Sequence, residues 1–181
     1  MKLMKRDKTL FVAVDFQEKL MPVMAGKEVL ENKVCRLAEG MKALGIPHIV
    51  TQQYTKGIGK TVPSIAEAIG KFTPIDKTTF SCMNNKEFAA QLKETDRDTV
   101  VICGIEAHIC LQQTVLQLLS KDYRVYVPVD CISSRSAEDK MYAIARMSEA
   151  GAVMTTYEAV LYELLEDSRA PEFKAISKIV K

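Results

Sequence analysis

A thiol and an imidazole stand two residues apart in VVICGIEAHICLQQT, residues 100–114. A cysteine at the mouth of a helix that follows a strand is placed as a nucleophile, and a histidine beside it would serve as base. The spacing argues against that pair. If 109–110 are already helical, His108 points ~200° around the axis from Cys110, because neighbours on a helix face lie three or four apart. The second histidine, His48, enters a strand after Pro47. It therefore lies at the wrong end of a parallel sheet, since ligands bind beyond the carboxyl ends. If Cys110 is a nucleophile, its base is another group. By spacing alone an inert buried cysteine fits this position equally well, because free cysteine often acts as a small core residue.

Carboxylates do stand at the ends of strand-like runs. Asp15 closes the run 9–14 and Asp130 the run 124–129. In a doubly wound sheet the first strand and the strand after the reversal are neighbours, which makes Asp15 face the turn before Cys110. A thiol of pKa about 8.5 needs help to ionise at neutral pH. A helix N-terminus and a nearby lysine supply it. Lys77, in TPIDKTTFS, follows a short extended stretch and is placed to lean in, although spacing does not single it out.

Two other chemistries fail on inspection. Gly57-Ile-Gly59-Lys60-Thr61 looks like the end of a phosphate-binding loop, but that pattern needs glycine five residues before Gly59, where Tyr54 stands. With two histidines in the chain, in neither a D-x-H nor an H-x-x-x-H pattern, a histidine-built metal site is excluded without extensive carboxylate help. No metal and no cofactor is expected.

The elements that must position these groups alternate. Apolar runs at 9–14, 48–51, 99–103, 124–129 and 152–155 read as strands. Between them, Leu30, Val34, Leu37, Met41 and Leu44 recur at helical spacing, stopped by Gly45 and Pro47. Helices are also expected at 86–93, 110–120, from a capping box at 136–139 to 150, at 157–165, and in the tail 171–180. The segment 52–61 reads as a loop. Nearly continuous apolar strands between helices imply a parallel sheet covered on both faces. The expected fold is α/β, a three-layer α-β-α, doubly wound, mainly parallel, Rossmann-like sheet in one domain spanning 1–181.

Bulk properties bound the function. The chain has 181 residues, 48% apolar, with 25 Lys and Arg against 23 Asp and Glu. A net charge of +2 gives no electrostatic case for nucleic acid or a membrane surface. No apolar run reaches the length of a membrane span. The basic start, 1–8, lacks the apolar stretch of a signal peptide. Five cysteines without C-x-x-C pairs argue against a disulfide framework or zinc site, so a reducing cytoplasm is expected.

Three separated motifs carry a resemblance. Val14-Asp15-Phe16-Gln17 resembles a D-x-Q strand end, Lys77-Thr-Thr-Phe80-Ser81 a K-x-x-F-S segment, and Gly104-Ile-Glu-Ala-His-Ile-Cys110 a G-x(5)-C nucleophile turn. In this order and spacing they resemble the isochorismatase-like cysteine hydrolase superfamily over essentially the whole chain. TQQYTKGIGKTVPSI and VDCISSRSAEDK are most similar to its isochorismatase-domain-containing branch. The resemblance implies an Asp15–Lys77–Cys110 triad and a cis peptide between Glu106 and Ala107. It also implies oxyanion donors from the amides of Ala107 and Cys110, and homo-oligomers. Nicotinamidases of this superfamily carry a metal site of Asp and His after the second strand. Gln52-Gln53-Tyr54 stands there without histidine, which argues against both metal and nicotinamide.

The function expected is metal-independent hydrolysis of a C–N bond in a small amide or carbamoyl compound, through a Cys110 thioester. Vinyl-ether hydrolysis, with Cys110 idle, and a non-catalytic binding protein are the rival readings. Gln17, Tyr54, Phe80 and Ile109 are the expected pocket residues, with ordinary packing as the alternative for the last three. Cys110 is expected to alkylate faster than Cys35 or Cys103. The tail offers Phe173, Ile176 and Val180 as an apolar stripe, to be covered by its own domain or by a neighbouring copy. Exhaustive chelation is expected to leave turnover of any identified substrate unchanged; activity lost on chelation and restored by zinc, manganese or iron would refute this.

Overall fold

The computed structural model describes residues 3–181; the first two residues of the basic start lie outside it. Six parallel strands form one sheet in the order β3-β2-β1-β4-β5-β6. They are β1 (Thr9–Val14), β2 (His48–Gln53), β3 (Ile75–Lys77), β4 (Thr99–Gly104), β5 (Arg124–Pro128) and β6 (Val153–Thr155). The helices are α1 (Lys27–Ala43), α2 (Thr55–Ile58), α3 (Pro63–Ile69), α4 (Lys86–Glu94), α5 (Gln112–Leu119), α6 (Ala137–Glu149), α7 (Tyr157–Leu165) and α8 (Phe173–Val180). Helix α1 packs with α3, α7 and α8, while α5 packs with α6, giving the expected three layers.

The central strands β1 and β4 are buried along their whole length, as a sheet covered on both faces requires. Their register pairs Val14 with Gly104, so both chains leave the sheet at the same level. Gly104 has to be glycine. A Cβ there would lie 2.5 Å from Val14 Cβ and 2.6 Å from the Val14 carbonyl oxygen. The reversal of strand order falls between β1 and β4, and the crevice beyond their ends belongs to Asp15 and the turn after Gly104.

The helices follow local signals. The stripe Leu30, Val34, Leu37 and Met41 is buried on α1. Ser136 caps α6 by accepting from the amides of Glu138 and Asp139. Three expectations change. The segment expected as a loop at 52–61 contributes Gln52 and Gln53 to β2, and Thr55–Ile58 forms a helical turn. Helix α3 was not anticipated; it opens with Pro63 in its first turn, where a missing N–H costs nothing. The helix expected from 110 begins earlier, as a π-helical turn over Ala107–Leu111.

The tail stripe is covered by its own chain. Ile176 is buried, Phe173 and Val180 pack partly against the core, and α8 rests on α1 and α7. Arg36 Nη1 and the Tyr157 hydroxyl, at 2.8 and 3.3 Å, both donate to the Val180 carbonyl. No helix among the described residues is long and apolar enough to cross a membrane.

Gly104→Ala is expected to destabilise the fold by about 1–3 kcal/mol, because backbone rather than a mobile side chain blocks the added methyl. Urea denaturation of the two proteins measures this, and an unchanged midpoint would refute it.

Candidate active site

Asp15 is the first residue beyond β1 and takes a left-handed backbone, φ 56°, which aspartate tolerates better than most residues. Its side chain is wholly buried and both oxygens are engaged. Oδ2 accepts from Lys77 Nζ at 2.7 Å, and Oδ1 accepts from the Thr51 hydroxyl at 2.7 Å. Lys77 ends β3, two strands away. Its ammonium also reaches Gln53 Oε1 at 2.6 Å and the carbonyls of Thr79 and Phe80 at 3.2 Å each. Four oxygens thus surround three N–H donors, as a buried ammonium requires.

Cys110 lies in the π-helical turn, almost buried, where its thiol meets Asp15 and Lys77. The three triad residues named from sequence are therefore brought together. The backbone is held from the other side, since Thr114 Oγ1 donates to the Cys110 carbonyl at 2.7 Å and accepts from the Cys82 amide at 3.0 Å.

The electrostatics correct one expectation. Burial would by itself lower the Lys77 pKa, but the Asp15 carboxylate, followed by Cys82 and Cys110, outweighs it and holds the ammonium charged. Burial pushes the Cys110 thiol well up, the Asp15 carboxylate pushes it further, and Lys77 offsets only part. Both effects favour the protonated thiol over the thiolate at rest. Half-buried Cys35 is pushed up to about 11, chiefly by burial and then by Glu31 and Glu39. Resting ionisation thus gives no ground for Cys110 to alkylate faster than Cys35.

The turn before Cys110 also differs from expectation. Ile105 still pairs with β1, its amide donating to Val14 O at 3.1 Å, and Ala107 is pinned by donating to Ser133 O at 2.7 Å. The cis bond falls between these anchors, at Ile105–Glu106 rather than Glu106–Ala107. The Ala107 amide is committed to Ser133 and is no free oxyanion donor. Among the described residues, the amides of Glu106, His108 and Cys110 have no acceptor outside their own turn.

The pocket residues separate. Gln17 is buried, and its amide group braces the chain: Nε2 donates to Gln53 O at 3.0 Å and Gly59 O at 2.6 Å, while Oε1 accepts from Gln53 N at 2.7 Å. It shapes the site and has no polar atom left for a substrate. Tyr54 and Phe80 are about half exposed, and the Tyr54 ring lies over Gly57 of α2. Ile109 is partly buried against the core. His108 turns away, with Nδ1 on Ser134 Oγ at 2.9 Å, and His48 Nε2 sits 3.3 Å from Lys71 O at the amino end of β2. Asp130 accepts from the Tyr157 amide at 2.9 Å and braces the start of α7. Among the described residues no cluster of His, Cys, Asp and Glu has metal-binding geometry, and all five cysteines are free.

Thr51 and Gln53 were missed. They alternate with Gln52 on β2, so both point to the face that carries Asp15 and Lys77, and that period of two was the available signal.

The isochorismatase domain model matches residues 9–159. This chain belongs to the isochorismatase family. It is 39% identical to isochorismatase domain-containing protein 2 of Xenopus laevis, over 99% of this chain and 86% of that one. It is 38% identical to isochorismatase domain-containing protein 1 of Salmo salar over 96% of its own length, and spans 61% of that relative. The structure of MAR1 ribonuclease from Caenorhabditis elegans superposes with a TM-score of 0.93 at 37% identity, over 99% of this chain and 92% of the other. The YcaC gene product of Escherichia coli shares the fold, with a TM-score of 0.93 at 22% identity over 99% and 89% of the two chains.

Because the Asp15 charge raises the Cys110 pKa, neutralising it is expected to have opposite effects on two measurements. In Asp15→Asn, iodoacetamide should label Cys110 faster at pH 7, about tenfold per unit of pKa lost, while turnover disappears. Peptide mass spectrometry reads the labelling. Slower labelling in the variant would show that Asp15 lowers, rather than raises, the barrier to the resting thiolate.

Proposed function

We propose that the protein is a metal-independent cysteine hydrolase that cleaves a C–N bond in a small amide or carbamoyl compound. The observation that carries this is a buried thiol beside a carboxylate that is itself paired with a buried ammonium at 2.7 Å. Asp15 takes the Cys110 proton as sulfur attacks the carbonyl carbon. The C–N bond then breaks and Asp15 passes that proton to the leaving amine, which leaves a thioester. Water, deprotonated by Asp15, cleaves the thioester and releases the acid, and the thiol is restored. Lys77 stays charged throughout and keeps Asp15 ionised between steps. The amides of Glu106 and Cys110 are the oxyanion donors in this reading, which is supported by their lack of other acceptors outside the turn.

The near-complete burial of all three groups favours a small substrate that enters past Tyr54, Phe80 and Ile109. The name MAR1 ribonuclease belongs to relatives; for this chain, the buried triad and the net charge of +2 favour a small molecule over RNA. The free cysteines fit a reducing cytoplasm. Homo-oligomerisation is part of the proposal, as the E. coli fold relative is described as an octameric hydrolase of unknown specificity. Light scattering of the full chain reads this directly, and a monomer at micromolar concentration would refute it.

The test of the chemistry is a panel of amides, carbamates, enol ethers and an RNA oligonucleotide offered to wild type and Cys110→Ala. Hydrolysis of an amide or carbamate is expected, reduced on the order of 10⁴-fold or more by the substitution. Enol-ether cleavage that survives in Cys110→Ala would install the vinyl-ether reading, and Cys110-dependent RNA cleavage would replace both.

A further inference from the structure

Behind β2, on the face away from the catalytic ion pair, lies a second cavity of about 540 Å³. It sits at the edge of the sheet, where Gln52 of β2 stands in register with Asp76 of β3. Side chains alternate along a strand, so Thr51, Gln53 and Lys77 serve the catalytic site while Gln52 and Asp76 line the cavity. Ala66 of α3, Phe72 and Pro74 supply its apolar walls. Sites for small molecules span about 300–1,000 Å³, which includes this volume. No thiol lines it, and the chemistry proposed above does not use it.

Its floor is polar and largely preformed. Gln52 is only 4% exposed. Gln52 Nε2 donates to Thr61 Oγ1 at 2.9 Å, which engages one of its two N–H groups; the other has no acceptor among the described residues. The Thr55 hydroxyl lies 3.0 Å from Gln52 Oε1 and 2.8 Å from Asp76 Oδ1, and its single proton serves one of them at a time. The Thr55 amide also donates to Asp76 Oδ1, at 2.8 Å. That amide and then the hydroxyl hold the Asp76 carboxyl below its usual range, so it is charged at neutral pH. The wall carrying Thr61 is fixed too. Thr61 bridges Gln17, and Gln17 Nε2 donates to Gly59 O at 2.6 Å.

Two opposite charges line this cavity without pairing to each other. Lys60 Nζ and Asp76 Oδ2 each lack a partner among the described residues. A simple anion would meet Asp76 as well as Lys60, and a simple cation would meet Lys60 as well as Asp76. A molecule carrying both charges and an apolar group finds a complement for each. We propose that this cavity binds an α-amino acid with an apolar side chain, its carboxylate on Lys60 and the Gln52 amide, its ammonium on Asp76, and its side chain against Ala66, Phe72 and Pro74. The inference does not depend on the hydrolase reading.

Isothermal titration calorimetry on the full chain tests this with L-phenylalanine and L-leucine. Each is compared with its amide, which lacks the carboxylate, and with its N-acetyl form, which lacks the ammonium. The blocked forms are titrated against Cys110→Ala, so that no amide is hydrolysed during the measurement. At least one free amino acid is expected to bind wild type and Cys110→Ala alike, about tenfold more tightly than either blocked form. Lys60→Gln, made in the Cys110→Ala chain, should bring the acid and its amide within about twofold. Asp76→Asn in the same chain should do so for the free and acetylated amines. Ala66→Phe, which fills the cavity, should abolish binding, with circular dichroism confirming its fold; the two charge variants decide the matter if it does not fold. No binding of either amino acid at about 10 mM overturns the proposal, as do equal affinities for free and blocked forms or binding that survives in folded Ala66→Phe. If no amino acid binds and Ala66→Phe lowers the mass read by light scattering, the cavity is an interface between copies of the chain and the proposal falls.

Discussion

The site is organised around one buried ion pair. Asp15 and Lys77 meet at 2.7 Å with both side chains withdrawn from solvent. Removing two charges from water costs several kcal/mol for each ion, and their attraction offsets this only when geometry is good and the remaining lone pairs and protons are satisfied. Each requirement is met by a named atom. Thr51 donates to the free Asp15 oxygen, and Gln53 with two backbone carbonyls surrounds the ammonium. Thr51 itself sits 3.8 Å from the Cys82 sulfur, so the second thiol of this region closes the network beneath Asp15.

Strand order turns that requirement into a sequence pattern. Asp15 follows β1 and Lys77 ends β3, with β2 between them, roughly 10 Å apart across two strand spacings. A long side chain must cross that gap, and lysine does so beneath the end of β2. The intervening strand then has to present polar atoms on one face only. Thr51 and Gln53, two apart, serve the ion pair, while Gln52 on the opposite face donates to Thr61 at 2.9 Å. Cys110 enters from the other side of β1, delivered by β4, whose exit is fixed by the close contact of Gly104 with Val14. Three strands thus bring a carboxylate, an ammonium and a thiol together.

What the sequence revealed follows from which signals are local. Apolar runs and the α1 stripe have periods that can be counted, and so the doubly wound sheet was legible. Asp15 and Cys110 were legible as groups at strand ends, and Lys77 only by resemblance, because nothing near it in the chain shows that it crosses β2. Thr51 and Gln53 stayed hidden since their partners lie two dozen or more residues away, and a glutamine reads as surface until a buried ammonium is known to need an oxygen. The cis bond falls one residue earlier than the resemblance implies, at Ile105–Glu106, between anchors that are non-local. Ser133 binds the Ala107 amide, and no pattern within Gly104–Cys110 announces that contact. The thiol's state was misjudged for a similar reason. A helix N-terminus and a lysine are visible in sequence, whereas burial, which dominates, is a property of the packed fold.

That dominance clarifies how the proposed reaction runs in a buried place. At rest the cluster holds one negative charge on Asp15, one positive charge on Lys77 and a neutral thiol. When the proton moves from sulfur to Asp15 and sulfur attacks, the negative charge does not vanish or double. It passes from the carboxylate to the substrate oxygen, where backbone amides replace Thr51 as its donors. The net charge of the cluster is the same before and after, so no additional ion has to be desolvated at the transition state. A preformed thiolate would place a second anion beside Asp15, with one ammonium to serve both, and like charges that close disfavour it. The raised thiol pKa is therefore compatible with catalysis: it stores the proton on sulfur until an electrophile arrives to take the charge. The same arrangement keeps the nucleophile quiet towards solvent-borne reagents, since only a carbonyl held at the turn offers the charge a place to go.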